Sequence, residues 1–124
     1  TVLLVEKANG KGKTARKPGR KAILACITLA AAMDGRSITT AGGLAEAGDL
    51  HPVQKAFVDE SAIQCGFCTP GMVLKSVALL EKNPKPTEEE IRFGLEGNIC
   101  RCTGYVKIVK AVQVASKKMA AGKR

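Results

Sequence analysis

Two short stretches, Cys65-Gly66-Phe67-Cys68 and Cys100-Arg101-Cys102, contain four of the five cysteines of the chain and decide its fold. A threonine follows the last cysteine of each stretch, and a proline or glycine comes next, as in Thr69-Pro70 and Thr103-Gly104. This composition is typical of a turn that opens a helix. Four thiols that come together in this way form either a metal-cluster site or a pair of disulfides.

The bulk composition indicates a small protein with an aliphatic core. The chain has 124 residues, of which 45% are hydrophobic and 25% charged, and this suits one compact domain or two very small ones. Trp is absent, so the core is expected to consist of Val, Ile, Leu and Ala, which favours close-packed helices. No apolar run approaches the roughly 20 residues of a membrane span, and nothing resembles a signal peptide. We therefore expect a cytoplasmic protein without membrane association. In the cytoplasm, paired cysteines more often hold metal or do redox work than form structural disulfides.

The net charge of +9 raises the question of nucleic-acid binding. Seven basic residues lie between Lys7 and Lys21, mixed with Gly, Asn and Pro, so residues 7–21 are predicted to be a solvated loop. Stacking aromatics are missing there and no recognition-helix pattern appears, so no nucleic-acid partner is expected. A basic face for an acidic protein partner is more plausible, but the sequence assigns this loop no function.

The first third of the chain contains the strand signals. Residues 2–5 and 22–27 are predicted to be strands that pair as a hairpin, and residues 37–40 could form one further short strand. Two or three strands of this length do not form an independent sheet with its own core. We therefore expect this part of the chain to depend on other structure.

From about residue 49 the pattern becomes helical. Asp49 is predicted to cap a first helix that has Pro52 in its first turn. Thr69 is predicted to cap a second helix, which ends near Asn83 before two prolines. The apolar stripe of that second helix consists of Met72, Val73, Val77 and Leu80.

Two further helices follow. Thr87-x-x-Glu90 matches a capping box and opens a third helix, which Gly97-Asn98 closes. A fourth helix begins after Cys102, and its apolar face carries Tyr105, Val109, Val112 and Met119. Four short helices with one apolar stripe each are predicted to pack as a small bundle.

This scheme places each cysteine pair just before a helix, so that unpaired N–H groups and the positive ends of two helix dipoles point at the thiolates. Such a setting stabilises an anionic centre and lowers thiol pKa values. Disulfides are disfavoured because a Cys-x-Cys pair can hardly bridge to itself. Zinc remains a serious alternative, but its sites usually repeat the x-x spacing, and the second pair here does not. The spacing therefore favours an iron–sulfur centre over a zinc-stabilised helical interaction module without redox activity.

Residues 64–72 and 97–105 resemble the iron–sulfur subunit of the molybdenum hydroxylases, the family of xanthine dehydrogenase, aldehyde oxidoreductase and aerobic carbon monoxide dehydrogenase. The resemblance extends from about Cys26 to the C-terminus and includes His51-Pro52-Val53-Gln54. It implies an electron-transfer subunit of an oxidoreductase complex, passing electrons from a molybdenum cofactor towards a flavin. The partners would be a large molybdopterin-binding subunit and a medium subunit with FAD. Substrate chemistry would take place in the large subunit.

The same resemblance implies roles for individual residues. The ligands of one [2Fe–2S] cluster would be Cys65, Cys68, Cys100 and Cys102. Gln64 and the backbone of Cys102 match the positions that contact the pterin. The implied fold is mainly α: a four-helix bundle that binds [2Fe–2S] at residues 46–124, preceded at residues 1–45 by the remnant of a plant-type ferredoxin β-grasp domain.

Cys26 matches the fourth ligand of a second [2Fe–2S] cluster in that ferredoxin-like domain, but the other three ligands are absent. We expect this sequence to lack most of that N-terminal lobe, and a longer parent to bind two clusters. Without upstream cysteines, Cys26 is predicted to be a small buried hydrophobic residue in a strand.

Overall fold

The computed structural model describes residues 2–5, 20–45 and 48–121. The predicted loop at residues 7–21 lies outside these ranges except for Arg20 and Lys21. For these two residues the loop prediction is wrong, because they belong to strand β2 (Arg20–Ile23). In order along the chain, the regular elements are the strands β1 (Val2–Val5), β2 (Arg20–Ile23) and β3 (Ser37–Thr39) and the helices α1 (Pro52–Asp59), α2 (Thr69–Lys82), α3 (Glu88–Gly94) and α4 (Val106–Ala121). Short 3-10 helices occupy Ala25–Ile27, Ala30–Met33 and Gly42–Leu44.

The three strands form one antiparallel sheet in the order β2-β1-β3. The predicted hairpin of β1 and β2 and the short third strand are both confirmed. The prediction that the second strand continues to residue 27 is wrong, because β2 ends at Ile23 and a 3-10 helix follows. Ile23 pairs with Val2 of β1, and the next residue, Leu24, precedes the 3-10 helix Ala25–Ile27.

The sheet lies against α2. Ala22 of β2 packs on the main apolar core, and Arg20 forms an ion pair with Glu81 near the end of α2. Three short strands bury little surface by themselves, so this contact with a helix supplies the support that they need.

The four helices surround one core, and α1 and α4 form its most extensive helix pair. The core is aliphatic except for Phe57, as the composition predicted. Its largest fully buried apolar side chains are Phe57, Met72, Leu74, Ile91, Ile108, Val53, Val77 and Val112. Two buried serines are satisfied within it, because Ser76 donates to the Met72 carbonyl (2.7 Å) and Ser116 donates to the Pro84 carbonyl (2.6 Å).

The helix starts confirm one predicted cap and correct two. Thr87 and Glu90 form the predicted capping box of α3. The first helix, however, is capped by His51 and not by Asp49: the Val53 N–H donates to His51 Nδ1 (3.2 Å) and Gln54 accepts from the His51 N–H (3.0 Å). Pro52 at the first helical position fixes the start two residues later than an Asp49 cap would. Thr69 is already inside α2, with Cys68 at the capping position.

The structure confirms the mainly helical fold class with four helices. None of the helices in the described parts of the chain combines the length and apolar composition that a bilayer crossing requires. The bundle type and the origin of the strands as a β-grasp remnant stay predictions.

Candidate metal centre

The four cysteines lie in two loops at the ends of helices. Cys65 and Cys68 are in the turn between α1 and α2, and Cys100 and Cys102 are in the connection from α3 to α4. Gly66, between Cys65 and Cys68 in the sequence, has a φ of 84°, a left-handed conformation that favours glycine. No atom would meet a Cβ at this position within 4 Å, so the requirement for glycine here is conformational.

The structure brings all four predicted cysteines together, and their sulfurs associate across the two loops in two pairs. The Cys65 and Cys102 sulfur atoms lie 3.6 Å apart. Cys68 and Cys100 lie close enough for each thiol to shift the pKa of the other, and they form the second pair. Each pair therefore takes one cysteine from the Cys-x-x-Cys loop and one from the Cys-x-Cys loop.

The two pairs differ in their exposure. Cys65 and Cys102 are exposed, whereas Cys68 is half-buried and Cys100 is buried against the core. One side of the centre thus faces away from the protein, and the other side rests on the helices. Phe67, between the first two cysteines, is 94% exposed, so this outward side also carries an apolar surface.

The metal-free thiols have different proton affinities. Thr103 lowers the pKa of Cys100 to about 7, first through its hydroxyl, which lies 3.1 Å from the sulfur, and then through its backbone N–H. Burial raises the pKa of Cys68 to about 11, and the neighbouring Cys100 adds to this rise. Contact with Cys65 raises the pKa of Cys102. The donors nearest to Cys100 therefore belong to the loop, because α4 begins only at Val106.

Tyr105 anchors the second loop, a role that the sequence did not reveal. Its hydroxyl accepts a hydrogen bond from the Cys100 N–H (2.8 Å) and donates to the Asn98 carbonyl (3.4 Å). Its own N–H donates to Thr103 Oγ1 (3.2 Å), and its φ is 67°. The sequence predicted Tyr105 only as part of an apolar face. A tyrosine at a position that an aliphatic residue could fill was the available signal for a hydrogen-bonding role, because a buried tyrosine hydroxyl usually has a partner.

The remaining two predicted site residues lie on the surface. Gln64 is exposed and directly precedes Cys65 in the first loop. Cys26 is exposed within the 3-10 helix Ala25–Ile27, so the prediction of a buried cysteine in a strand is wrong. It lies beyond the end of β2, outside the strand pairing of the described residues. In the described parts of the chain, the contacts between cysteines involve Cys65, Cys68, Cys100 and Cys102.

The donor set fits a two-iron cluster. Cys65, Cys68, Cys100 and Cys102 contribute four thiols from two loops. Four cysteine thiols are the ligands that a [2Fe–2S] cluster takes.

Comparison with known proteins leads to the same family. Residues 40–113 match the model of the [2Fe-2S] binding domain. The chain is 48% identical over 98 residues to the nicotinate dehydrogenase small FeS subunit of Eubacterium barkeri, covering 79% of this chain and 62% of that protein. It is 54% identical over 91 residues to the nicotine 6-hydroxylase small subunit of Paenarthrobacter nicotinovorans, covering 73% of this chain and 54% of that protein. The chain thus spans less than two thirds of the length of these relatives.

A solved structure has the same fold. The chain superimposes on quinoline 2-oxidoreductase from Pseudomonas putida 86 with a TM-score of 0.73 and 39% sequence identity, covering 80% of this chain and 62% of that one. The relatives are subunits of oxidoreductases, and their sequence identity extends over most of this chain. The chain therefore belongs to the [2Fe–2S] binding domain family, in the branch formed by the iron–sulfur subunits of the molybdenum hydroxylases.

Proposed function

We propose that this chain is the electron-transfer part of a molybdopterin-dependent hydroxylase or dehydrogenase, and that Cys65, Cys68, Cys100 and Cys102 hold one [2Fe–2S] cluster. The cluster would supply one-electron redox chemistry between a molybdenum cofactor and a flavin, each carried by a partner subunit. The convergence of the four thiols at the helix ends is the observation that carries the proposal.

The pairing of the sulfurs supports an assignment of ligands to metal atoms. Cys65 and Cys102 would share one iron, and Cys68 and Cys100 the other, because these are the pairs already in contact. Cys65 and Cys102 are exposed, whereas Cys68 and Cys100 lie against the core. The iron on the exposed side would therefore be the one nearer to a partner subunit.

The chain's own residues would hold the cluster and set its surroundings. The Thr103 hydroxyl and N–H stabilise negative charge on the Cys100 sulfur. The Tyr105 hydroxyl fixes the loop that carries Cys100, and the core excludes water from the inner side. Hydrogen bonds and burial of this kind tune the reduction potential of iron–sulfur centres.

Gln64 and the Cys102 backbone are proposed as contacts to the pterin of the partner subunit. Both lie on the exposed side of the thiol cluster, which supports this role. Cys26 is proposed as a ligand of a second [2Fe–2S] cluster only together with cysteines outside these 124 residues. The division into a ferredoxin-like part (1–45) and a cluster-binding bundle (46–124), and the cytoplasmic location, belong to the same proposal.

A zinc-stabilised interaction module is not favoured. Tetrahedral zinc needs four donors around one atom. The thiols here stand in two pairs, and no three metal-binding side chains of the described residues are grouped around one point.

Metal analysis of the purified full-length parent tests the proposal. The wild type is expected to be brown, with equal amounts of iron and acid-labile sulfide and a rhombic paramagnetic signal on reduction. Cys100→Ser should lose the iron and sulfide of one cluster, and it should unfold more easily because the ligands connect two helix ends. Cys68→Ser should behave in the same way.

Arg101→Lys serves as the control, because it changes the same loop but leaves all four thiols in place. It should retain the full iron content and spectrum. A colourless wild type with one equivalent of zinc, or a Cys100→Ser variant with unchanged iron and spectrum, would contradict the proposed cluster and its ligands.

A further inference from the structure

A groove beside the loop that carries Cys100 and Cys102 combines apolar and acidic side chains. It lies between α3 and α4 with a volume of about 580 Å³. Leu95, Tyr105 and Val109 line it from the core side, and the side chains of Phe93 and Ile99 line it at the surface. Phe93 is 78% exposed and Ile99 is 84% exposed, so two large apolar side chains stand in water at one opening.

The charge of this region is opposite to that of the whole chain. The chain has 20 Lys and Arg against 11 Asp and Glu, but residues 87–98 contain four glutamates and a single arginine. Two of the glutamates are engaged within the helix: Glu88 pairs with Arg92 (2.7 Å), and Glu90 accepts from the Thr87 N–H (2.7 Å).

The other two glutamates, Glu89 and Glu96, line the groove. Both are exposed, and among the described residues no cation lies within 4.0 Å of either carboxylate. Lys75 reaches this turn, but it donates to the Glu96 carbonyl (2.8 Å). Arg92 also lines the groove, but it is paired with Glu88. The groove thus offers apolar surface flanked by two carboxylates that have no ion pair among the described residues.

The groove is also connected to the metal centre. The Tyr105 hydroxyl accepts from the Cys100 N–H and donates to the Asn98 carbonyl, and both Tyr105 and Asn98 line the groove. Ile99 lines the groove and directly precedes Cys100 in the sequence. A polypeptide seated here would therefore border the loop that carries Cys100 and Cys102.

We propose that this groove docks a basic segment of the large molybdopterin-binding subunit, which places an apolar side chain between Phe93 and Ile99 and a Lys or Arg near Glu89 and Glu96. The inference rests on the proposed function, which supplies the partner. The two carboxylates favour a positively charged segment over an acidic one, because like charges across an interface are unfavourable. The exposed aromatic is the kind of residue that anchors such interfaces.

The test is the affinity of the full-length parent for its large subunit. Glu89→Lys/Glu96→Lys should raise Kd at least about tenfold at low ionic strength, since rim charges act on association and its salt dependence. This loss of affinity should largely disappear in about 1 M salt, where the electrostatic screening length is about 3 Å. Phe93→Ser should raise Kd roughly tenfold at both salt concentrations, because its contribution is apolar burial.

Asp34→Lys and Arg36→Glu are the matched controls. Each reverses one exposed charge, and neither residue lines the groove. Both should bind as the wild type does, and every variant should keep the wild-type iron content and spectrum. In the wild-type complex, amide exchange should slow at residues 93–99 relative to the free parent.

Unchanged affinity of the groove variants, or no exchange protection at residues 93–99, would overturn the docking site and leave the proposed electron-transfer role intact. A wild-type parent without iron or without affinity for the large subunit would overturn the proposed function, and the docking site with it. A Kd that rises equally in the Asp34→Lys control would also overturn the groove, because the effect would then be one of net charge.

Discussion

Tyr105 shows how much a single side chain contributes to the candidate metal centre. Its φ of 67° is in the left-handed region, where a bulky residue is strained. Hydrogen bonds from its hydroxyl to both sides of the loop hold it there, since it accepts from Cys100 and donates to Asn98. The aromatic ring is half-buried against the core, so the residue connects the core to the cysteine loop.

Replacing Tyr105 with Phe tests this role. The variant keeps the ring and leaves the Cys100 N–H without its acceptor, so we expect the free energy of unfolding to fall by about 1–3 kcal/mol. Guanidinium unfolding of the cluster-loaded parent, followed by visible absorption, measures the loss. Phe93→Tyr is the control, because it adds a hydroxyl at an exposed position outside this hydrogen-bond pair.

Tyr105→Phe should also change the environment of Cys100, which would appear as a shifted reduction potential in a protein film or a redox titration. A variant with wild-type unfolding and wild-type potential would mean that the hydroxyl has no positioning role.

At the scale of elements, the start of each helix determines where the preceding loop ends. α3 starts with a complete capping box, in which Thr87 Oγ1 accepts from the Glu90 N–H (3.2 Å) and Glu90 accepts from the Thr87 N–H (2.7 Å). Asn83, at the end of α2, donates to the same Glu90 carboxylate (3.2 Å). One glutamate therefore caps the start of α3 and also connects it to the residue that follows α2.

Thr87→Ala should lower the free energy of unfolding by about 1 kcal/mol, within the usual range of roughly 0.5–2 kcal/mol for a lost N-cap. Urea unfolding followed by circular dichroism is the measurement. Thr87→Ser keeps the hydroxyl and should stay close to the wild type. Equal stability of the Ala and Ser variants would show that the cap contributes nothing to α3.

At the scale of the whole molecule, α1 and α4 are joined both by the core and by ion pairs at its edge. Lys118 contacts Asp59 (2.8 Å) and Lys110 contacts Glu60 (2.9 Å), so the last helix is tied to the end of the first. Hydrogen bonding to Lys118 lowers the pKa of Asp59 below its usual value of 3.8. Asp59 and Lys118 are both exposed, so their ion pair contributes little to the free energy of unfolding and is sensitive to salt.

The lowered pKa predicts a dependence of stability on pH. A carboxyl whose pKa is depressed by folding stabilises the protein above its unfolded pKa, and this stabilisation is lost as pH falls through the folded pKa. Asp59→Asn should therefore lower Tm slightly at neutral pH, and its difference from the wild type should vanish in strong acid. Thermal unfolding between about pH 7 and about pH 2 measures this.

Asp34→Asn is the matched control, because it removes an exposed carboxylate without an ion pair to a described residue. It should leave the pH dependence unchanged. If the difference between Asp59→Asn and the wild type grew on acidification, the stabilising role of the Asp59 carboxylate would be refuted.

Much of the fold follows from local sequence. The four helices and the capping box at Thr87 depend on periodicity and on contacts within a few residues, and the structure confirms them. The hairpin of β1 and β2 is also confirmed, and its strands were visible from their composition. The two wrong helix caps, at Asp49 and Thr69, arose because several neighbouring residues can cap equally well. Near Asp49, Pro52 and the reciprocal bond between His51 and Gln54 decide the start. The pairing of β1 with β2 and with β3 depends on contacts between distant segments.

The sequence alone determined the chemistry of this protein: four thiols at spacings that favour an iron–sulfur centre, set in an aliphatic helical chain. These properties depend on residue type and on distance along the chain, so they can be read without coordinates. Only the tertiary structure decided that Cys65 meets Cys102, that Cys26 is exposed, and that the Tyr105 hydroxyl holds the Cys100 loop. Each of these depends on how separate segments of the chain pack together, and packing in three dimensions is not encoded in local spacing.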